Sequence, residues 1–296
     1  MHPDHAPSSA TPADRYVVAG HPVAHSRSPE IHAAFAAQTG QPVVYERLLC
    51  PLDGFDASIR AFVASGGRGC NVTVPFKFDA ARLAQRLTPR AQLAGAVNTL
   101  RFDPGCWIGD NTDGAGLLAD IERNAGRPLR GQRVLLIGAG GASAGVLGSL
   151  ITGRPAALRV VNRSAEKAQA LVDSHRGWAN QHDVQLSAGG LDDPGGIHDV
   201  LINGTSASLS GAGVPMPDAP TPVLARGGLA VDMMYGPSAA TFLNWAGAQA
   251  GPDGHLRDGL GMLVEQAAEA FFLWRGLRPD SAAVLADLRR QLEGSQ

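Results

Sequence analysis

The chain has 296 residues, 44% of them hydrophobic, and a formal net charge of −2. That length suggests about two domains, and the composition suits a chain that buries a real core. The near-neutral balance, with no long block of one sign, argues against nucleic acid or an anionic membrane as main partner, and no apolar run approaches the roughly 20 residues needed to span a bilayer.

Residues 1–14, MHPDHAPSSATPAD, lack the basic-then-apolar order of a secretory signal and read as a disordered extension. Cys50, Cys70 and Cys106 form no close pair and match no metal spacing, so reduced structural thiols, a cytoplasmic location and no bound metal are expected.

Apolar runs of strand length then alternate with helical patterns, the signature of α/β architecture with parallel sheets. YVVAG, Tyr16 to Gly20, is a buried-type strand. SPEIHAAFAAQTG follows as a helix, with Ser28 placed to cap it, Pro29 at its first position and Gly40 as its stop. GCNVTVPF reads as a strand ending at Pro75, and a helix fits residues 80 to 86. Asp113 is placed to cap a helix running to about Asn124, ended by Gly126. A domain boundary is expected near Gly114, where the pattern changes.

RGQRVLLIGAGGASAGVLGSLI reads as strand, glycine turn and helix, and ALRVVNRSAEKAQALVDSH repeats that order. DVLINGTS and LAVDMMY supply two further strands, ending at Asn203 and near Asp232. GMLVEQAAEAFFLWRG is a strong helix stopped by Gly276. A second amphipathic helix, PDSAAVLADLRRQL, is opened by Pro279 and Asp280.

The run Gly138-Ala139-Gly140-Gly141-Ala142-Ser143 between strand and helix has a direct chemical reading. Its glycines let the backbone turn tightly and approach a pyrophosphate, and the helix behind it aims free N–H groups at that anion. Ser143 stands where a third glycine is usual, and a small residue there still permits close helix–strand packing.

The following strand ends at Asn162-Arg163-Ser164, with no carboxylate to bond ribose hydroxyls. Arg163 offers a charged fork suited to phosphate, Lys167 lies one helical turn on, and Ser164 adds a hydroxyl. An extra 2′-phosphate is the natural partner, which makes NADP the expected cofactor.

Four polar clusters lie outside this unit: Ser26-Arg27-Ser28, Asn71-Val72-Thr73-Val74-Pro75-Phe76-Lys77, Gly95-Ala96-Val97-Asn98-Thr99 and Gly109-Asp110-Asn111-Thr112-Asp113-Gly114. They bring hydroxyls, amides, an amine and carboxylates with little aromatic surface. That set suits a small ligand covered in hydroxyls, not a nucleobase that would want stacking platforms.

These runs resemble the shikimate dehydrogenase family over about residues 15 to 292. S-x-S-P, N-V-T-V-P-x-K, G-A-V-N-T, D-N-T-D-G, G-A-G-G-A, N-R-S and D-G-x-x-M-L-x-x-Q-A occur in that order. The resemblance implies an N-terminal α/β substrate domain, residues 15–113 and 258–296, and a Rossmann-type, doubly wound NADP domain, residues 114–257. It further implies reversible reduction of 3-dehydroshikimate to shikimate in the cleft between them, by a monomer or homodimer.

Carried over by position, Ser26 and Ser28 would hold the substrate carboxylate. Thr73, Asn98, Lys77, Asp113 and Gln266 would contact the ring hydroxyls, with Lys77 and Asp113 as the catalytic pair. Tyr235 would line the cleft, and Asn203, Thr205, Ser206, Met233 and Gly259 would border the cofactor. Ser208 stands where relatives often have glycine, which bears on the nicotinamide-side geometry of the Gly- and Pro-rich stretch 208–222.

Quinate or aminoshikimate dehydrogenases are neighbouring alternatives. Quinate-active relatives commonly carry an acid where Asn162 and Arg163 stand, and a threonine for Ser28. A non-catalytic metabolite sensor on the same fold is the alternative of another class, but Lys77 and Asp113 are both present.

Overall fold

The computed structural model describes residues 12–205, 213, 215–216 and 222–294. Two six-stranded sheets organise them.

The first sheet is built from β1 (Asp14–Gly20), β2 (Val43–Leu49), β3 (Gly67–Val72), β4 (Arg86–Leu87), β5 (Thr99–Asp103) and β6 (Cys106–Asp110), in the order β2-β1-β3-β5-β6-β4. Helices α1 (Ser28–Thr39), α2 (Phe55–Ala64), α3 (Lys77–Leu83) and α4 (Pro89–Ala94) connect its strands. This sheet is mixed, which corrects the expectation of parallel sheets throughout. β5 pairs antiparallel with β3 and β6, while the other contacts are parallel. The β5–β6 reversal has a local cause: Asp103-Pro104-Gly105 turns the chain back, with Gly105 at φ +75°, a conformation that favours glycine.

Helix α5 (Asp113–Ala119), continued by one π-helical turn over Asp120–Asn124, leads into the second sheet. It comprises β7 (Arg133–Ile137), β8 (Ala157–Val161), β9 (Gln185–Gly189), β10 (His198–Asn203), β11 (Leu224–Asp232) and β12 (His255–Arg257). Every pairing is parallel, and the order β12-β11-β10-β7-β8-β9 is that of the doubly wound dinucleotide fold. Helices α6 (Gly141–Thr152), α7 (Ala165–Gln181) and α8 (Ala240–Ala250) cover it. Val134 to Ile137 are fully buried because β7 lies at the centre with helices on both faces.

The last two helices, α9 (Leu260–Arg275) and α10 (Ser281–Glu293), return to the first sheet. Val264, Ala267, Ala268 and Phe271 of α9 share a buried cluster with Ile31 and Phe35 of α1. Asp280 caps α10 as expected, accepting from Ala282 N–H at 3.0 Å. Among the described residues no helix is long and apolar enough to cross a membrane.

Several boundaries differ from expectation. β3 ends at Val72, short of Pro75, because Thr73 N–H bonds Ala19 and the chain then turns. α3 covers residues 77–83 rather than 80–86, so Lys77 opens a helix. Ser28 is the first residue of α1 rather than its cap, and no side chain caps that end.

Helix α5 lies so close to α9 that a Cβ on Gly116 would stand 2.6 Å from Gln266 N and 2.7 Å from Gln266 Cβ. Gly116→Ala should therefore push the helices apart, costing about 2 kcal/mol or more as an overpacked core does. The loss should show in thermal melts together with weaker substrate binding, because Gln266 sits at the contact. A variant as stable as the parent would show that the helices give way freely.

Candidate active site

The C-terminal strand ends of both sheets face one cleft of about 460 Å³. In open α/β sheets this is where ligands bind, because the loops leaving those ends diverge. The cleft brings together Ser26, Ser28, Thr73, Lys77, Asn98, Asp113, Tyr235 and Gln266, the whole expected substrate and catalytic set. From the second sheet's side come Ala142, Thr205, Met233 and Gly259.

Lys77 Nζ donates to Asp113 Oδ2 at 2.5 Å. The two side chains are 19% and 10% exposed, so their charges meet largely out of water, yet the pair opens into the cleft. Asp113 does not cap its helix. Its Oδ1 accepts from Asn98 Nδ2 at 2.7 Å instead. Asn98 is in turn held by Thr112, whose N–H donates to Asn98 Oδ1 at 2.8 Å. Gln266 Oε1 lies 3.4 Å from Asn98 Nδ2, which places its amide at the end of the same row. Every member of this buried chain has a partner, which is what holds such a network to one geometry.

The turn that carries the row is anchored from behind. Arg90 grips Asp110 with two bonds of 2.6 and 2.7 Å, and Thr88 Oγ1 adds a third at 2.6 Å. Burial pushes the Asp110 carboxyl up, but the bonds and charge of Arg90 outweigh it and hold it below the usual range. At the other end of the cleft, Ser26 Oγ and Ser28 Oγ are 3.1 Å apart at the start of α1. Arg47 fixes that turn by donating to the Ser26 carbonyl at 3.0 Å from Nε.

Beside the cleft, β7 runs into the glycine turn. Gly138 has φ +105°, which an L side chain rarely adopts, and a Cβ on Gly140 would meet nothing within 4 Å. No side chain caps α6. The turn thus leaves open space above uncapped N–H groups, a fit for a pyrophosphate. Asn162 braces it, accepting from Ala139 N–H at 3.3 Å. Ser143 is fully buried under the turn and packs rather than faces the opening. Arg163 and Lys167 are exposed, and their side chains make no hydrogen bond or ion pair among the described residues, whereas Ser164 Oγ donates to Glu166 at 2.8 Å. Asn203 is fully buried and ties β10 to β11 by donating to Asp232 at 2.9 Å. Ser206 and Ser208 lie outside the described residues.

The chain matches the models of three segments: the shikimate dehydrogenase substrate binding domain over residues 18–100, shikimate / quinate 5-dehydrogenase over 120–209, and the shikimate 5'-dehydrogenase C-terminal domain over 259–289. It is 57% identical to a shikimate dehydrogenase (NADP(+)) of Methylibium petroleiphilum, across 97% of this chain and 98% of that protein. The chain belongs to the shikimate dehydrogenase family. Among solved structures it resembles the Ael1 enzyme of Pseudomonas putida (TM-score 0.83, 42% identity, 93% of this chain and 98% of that one). It also resembles the shikimate 5-dehydrogenase of Thermus thermophilus in complex with NADP(H) and shikimate (TM-score 0.79, 32% identity, 94% and 99%).

This shikimate dehydrogenase family member also builds its cleft from residues to which the resemblance assigns no role. Asn71, His25, Met234 and Leu263 line it too. Asn71 opens the N-V-T-V-P-x-K run, and its role shows only in three dimensions. Its Oδ1 accepts from Tyr45 Oη at 2.7 Å, and its amide donates to Thr99 Oγ1 at 3.0 Å. Behind Tyr45 stacks His32, with ring centroids 4.2 Å apart and planes 9° from parallel. Nothing in the sequence around His32 announces this wall.

Complete burial lowers the His32 pKa to about 3. A neutral buried imidazole gives stability that is complete above the unfolded value near 6.5 and is lost as pH falls toward about 3. At pH 5 the loss from this residue is about 2 kcal/mol, since each pH unit inside the window contributes about 1.4 kcal/mol. Melting temperatures at pH 7.5 and 5.0 should diverge in the wild type, and the gap should narrow in His32→Phe without closing, because burial also lowers the pKa of His175 and His198. An equal pH slope in both would rule His32 out as the cause.

Proposed function

We propose that this chain catalyses the NADP-dependent, reversible reduction of 3-dehydroshikimate to shikimate. One observation carries the reading: a partly buried ammonium–carboxylate pair opens into a cleft whose opposite wall is the lip of a dinucleotide seat. The cofactor, when bound, supplies hydride to the ketone carbon.

The chain's own residues do the rest. Lys77 stands beside the ketone oxygen, where its ammonium meets the negative charge that grows there and donates the proton that makes the hydroxyl. Asp113 holds Nζ in place and accepts a bond from a neighbouring ring hydroxyl. Thr73, Asn98 and Gln266 bond further hydroxyls, so a ring lacking them leaves buried polar groups unpaired. Ser26 and Ser28 take the substrate carboxylate at the positive end of α1, where an anion is favoured. Tyr235 closes the cleft above the ring. Gly138 to Ala142, Asn162, Thr205, Met233 and Gly259 seat the dinucleotide, with Ser143 packed beneath the turn, and Arg163, Ser164 and Lys167 take its 2′-phosphate.

The division into residues 15–113 with 258–296 as substrate domain and 114–257 as NADP domain follows the two sheets. The unpaired cysteines fit a reducing compartment, and we assign the protein to the cytoplasm.

The purified protein should oxidise shikimate with NADP+ at rates far above those with quinate or with NAD+, followed at the reduced-nicotinamide absorbance band. Faster turnover of quinate, or preference for NAD+, would overturn the reading.

A further inference from the structure

Helix α6 meets the substrate side along one face. Gly141, Gly145 and Gly148 are spaced four and three residues apart, so they lie on the same side of the helix. A Cβ on Gly148 would stand 2.6 Å from Leu93 Cδ2, and one on Gly145 would stand 3.1 Å from Asn111 Nδ2 and 3.3 Å from Asp113 Oδ2. These two contacts form the inner part of the junction. The outermost contact is different. A Cβ on Gly141 would lie 3.7 Å from Cε2 and Cζ of Phe78, an ordinary van der Waals distance, and Phe78 is 49% exposed. Phe78 follows Lys77 directly on α3. Its ring therefore lies against the first residue of the dinucleotide helix, with half its surface in water.

One exposed apolar side chain is ordinary by itself. This one lies against Gly141, the first residue of α6, next in the chain to Gly140 at the uncapped helix start where the proposed function seats the pyrophosphate. We propose that Phe78 is a positioning residue for the dinucleotide: its ring packs over the cofactor from the substrate side and completes its own burial only when the cofactor is bound. This rests on the reading of the glycine turn as the NADP seat. Phe78 is the one aromatic ring that α3 sends to this edge. Phe76, just before it, is buried against Phe55 at 4.7 Å between centroids and serves the core.

The test is an equilibrium titration of the full-length protein with NADP+ alone, read by intrinsic fluorescence or calorimetry. Phe78→Ala should raise the Kd about tenfold, the effect of leaving roughly half a phenylalanine's apolar surface unburied. At saturating NADP+, kcat and the KM for shikimate should stay within about twofold of wild type, the split expected when only cofactor binding is lost. Phe78→Leu should recover most of the affinity, because the contact needs apolar bulk. The melting temperature should not move, since the ring is half exposed and outside the core clusters.

An unchanged Kd in Phe78→Ala, with a wild type that binds NADP+ and oxidises shikimate, overturns this inference and leaves the proposed function standing. A raised KM for shikimate with unchanged NADP+ affinity also overturns it, and would assign Phe78 to the substrate. A wild type that neither binds NADP+ nor oxidises shikimate removes both.

Discussion

Lys77→Ala should lower kcat by about 10²- to 10⁴-fold, the usual worth of a positioned general acid. In the proposed reaction charge grows on the ketone oxygen as hydride reaches the carbon, and Lys77 Nζ is the ammonium that lines the cleft where the ring would sit. Its geometry is set before substrate arrives. Asp113 holds it at 2.5 Å, and Asp113 is itself held by Asn98. A preorganised donor of this kind needs no rearrangement during the reaction, which is where its advantage over water lies.

The affinity for NADP+ should change little, because Lys77 sits on the substrate side and makes no contact with the glycine turn. Single-turnover rates and an NADP+ titration on the same preparation separate the two effects. Asp113→Asn should fall less far, since an amide can still accept from the substrate but holds the ammonium without charge. Full turnover in Lys77→Ala, with the protein folded, would remove Lys77 from the mechanism.

The nucleotide half was the more legible in the amino-acid sequence, and the reason is physical. Residues Arg133 to Ile137 form a strand buried on both faces, so the run is almost continuously apolar. The glycine turn and helix follow within a few residues, so the whole seat is local in the chain. The substrate half is not local. Lys77 and Asp113 are 36 residues apart, and Gln266 lies 168 residues from Asn98. No spacing rule brings those groups together, and only the resemblance to a known family pointed to them.

The capping readings of Ser28 and Asp113 failed for a related reason. A hydroxyl or carboxylate at a helix start looks the same whether it bonds the helix or faces a ligand. In this fold Asp113 is drawn away by Lys77 and Asn98, and Ser28 pairs with Ser26. The β5–β6 hairpin went unread although Asp103-Pro104-Gly105 is a strong turn signal. The strands on either side mix charged and aromatic residues, and buried and half-buried positions do not alternate cleanly along them.

Replacing both Arg163 and Lys167 by alanine should raise the KM for NADP+ by about 10²-fold or more and leave that for NAD+ nearly unchanged, since each charge-assisted bond to the 2′-phosphate is worth about 1.5–3 kcal/mol. The structure favours this outcome because neither cation is committed elsewhere. Both are exposed, neither makes an ion pair among the described residues, and they follow the end of β8, where the proposed function places the ribose. Arg163 should carry the larger share, because its planar fork can hold two phosphate oxygens at once while Lys167 acts as a point charge.

Salt supplies a second check. Exposed charges are screened within about 8 Å at physiological ionic strength, so wild-type affinity for NADP+ should fall as salt rises while the double variant barely responds. Glu166 completes the picture. Its carboxylate accepts from Ser164 Oγ at 2.8 Å, so a phosphate arriving at Ser164 must displace it. Glu166→Gln should therefore tighten NADP+ binding modestly, by removing one negative charge from the seat. If the double alanine variant kept its preference for NADP+ over NAD+, the 2′-phosphate would have to be recognised by other groups, and the assignment of this strand end would fall.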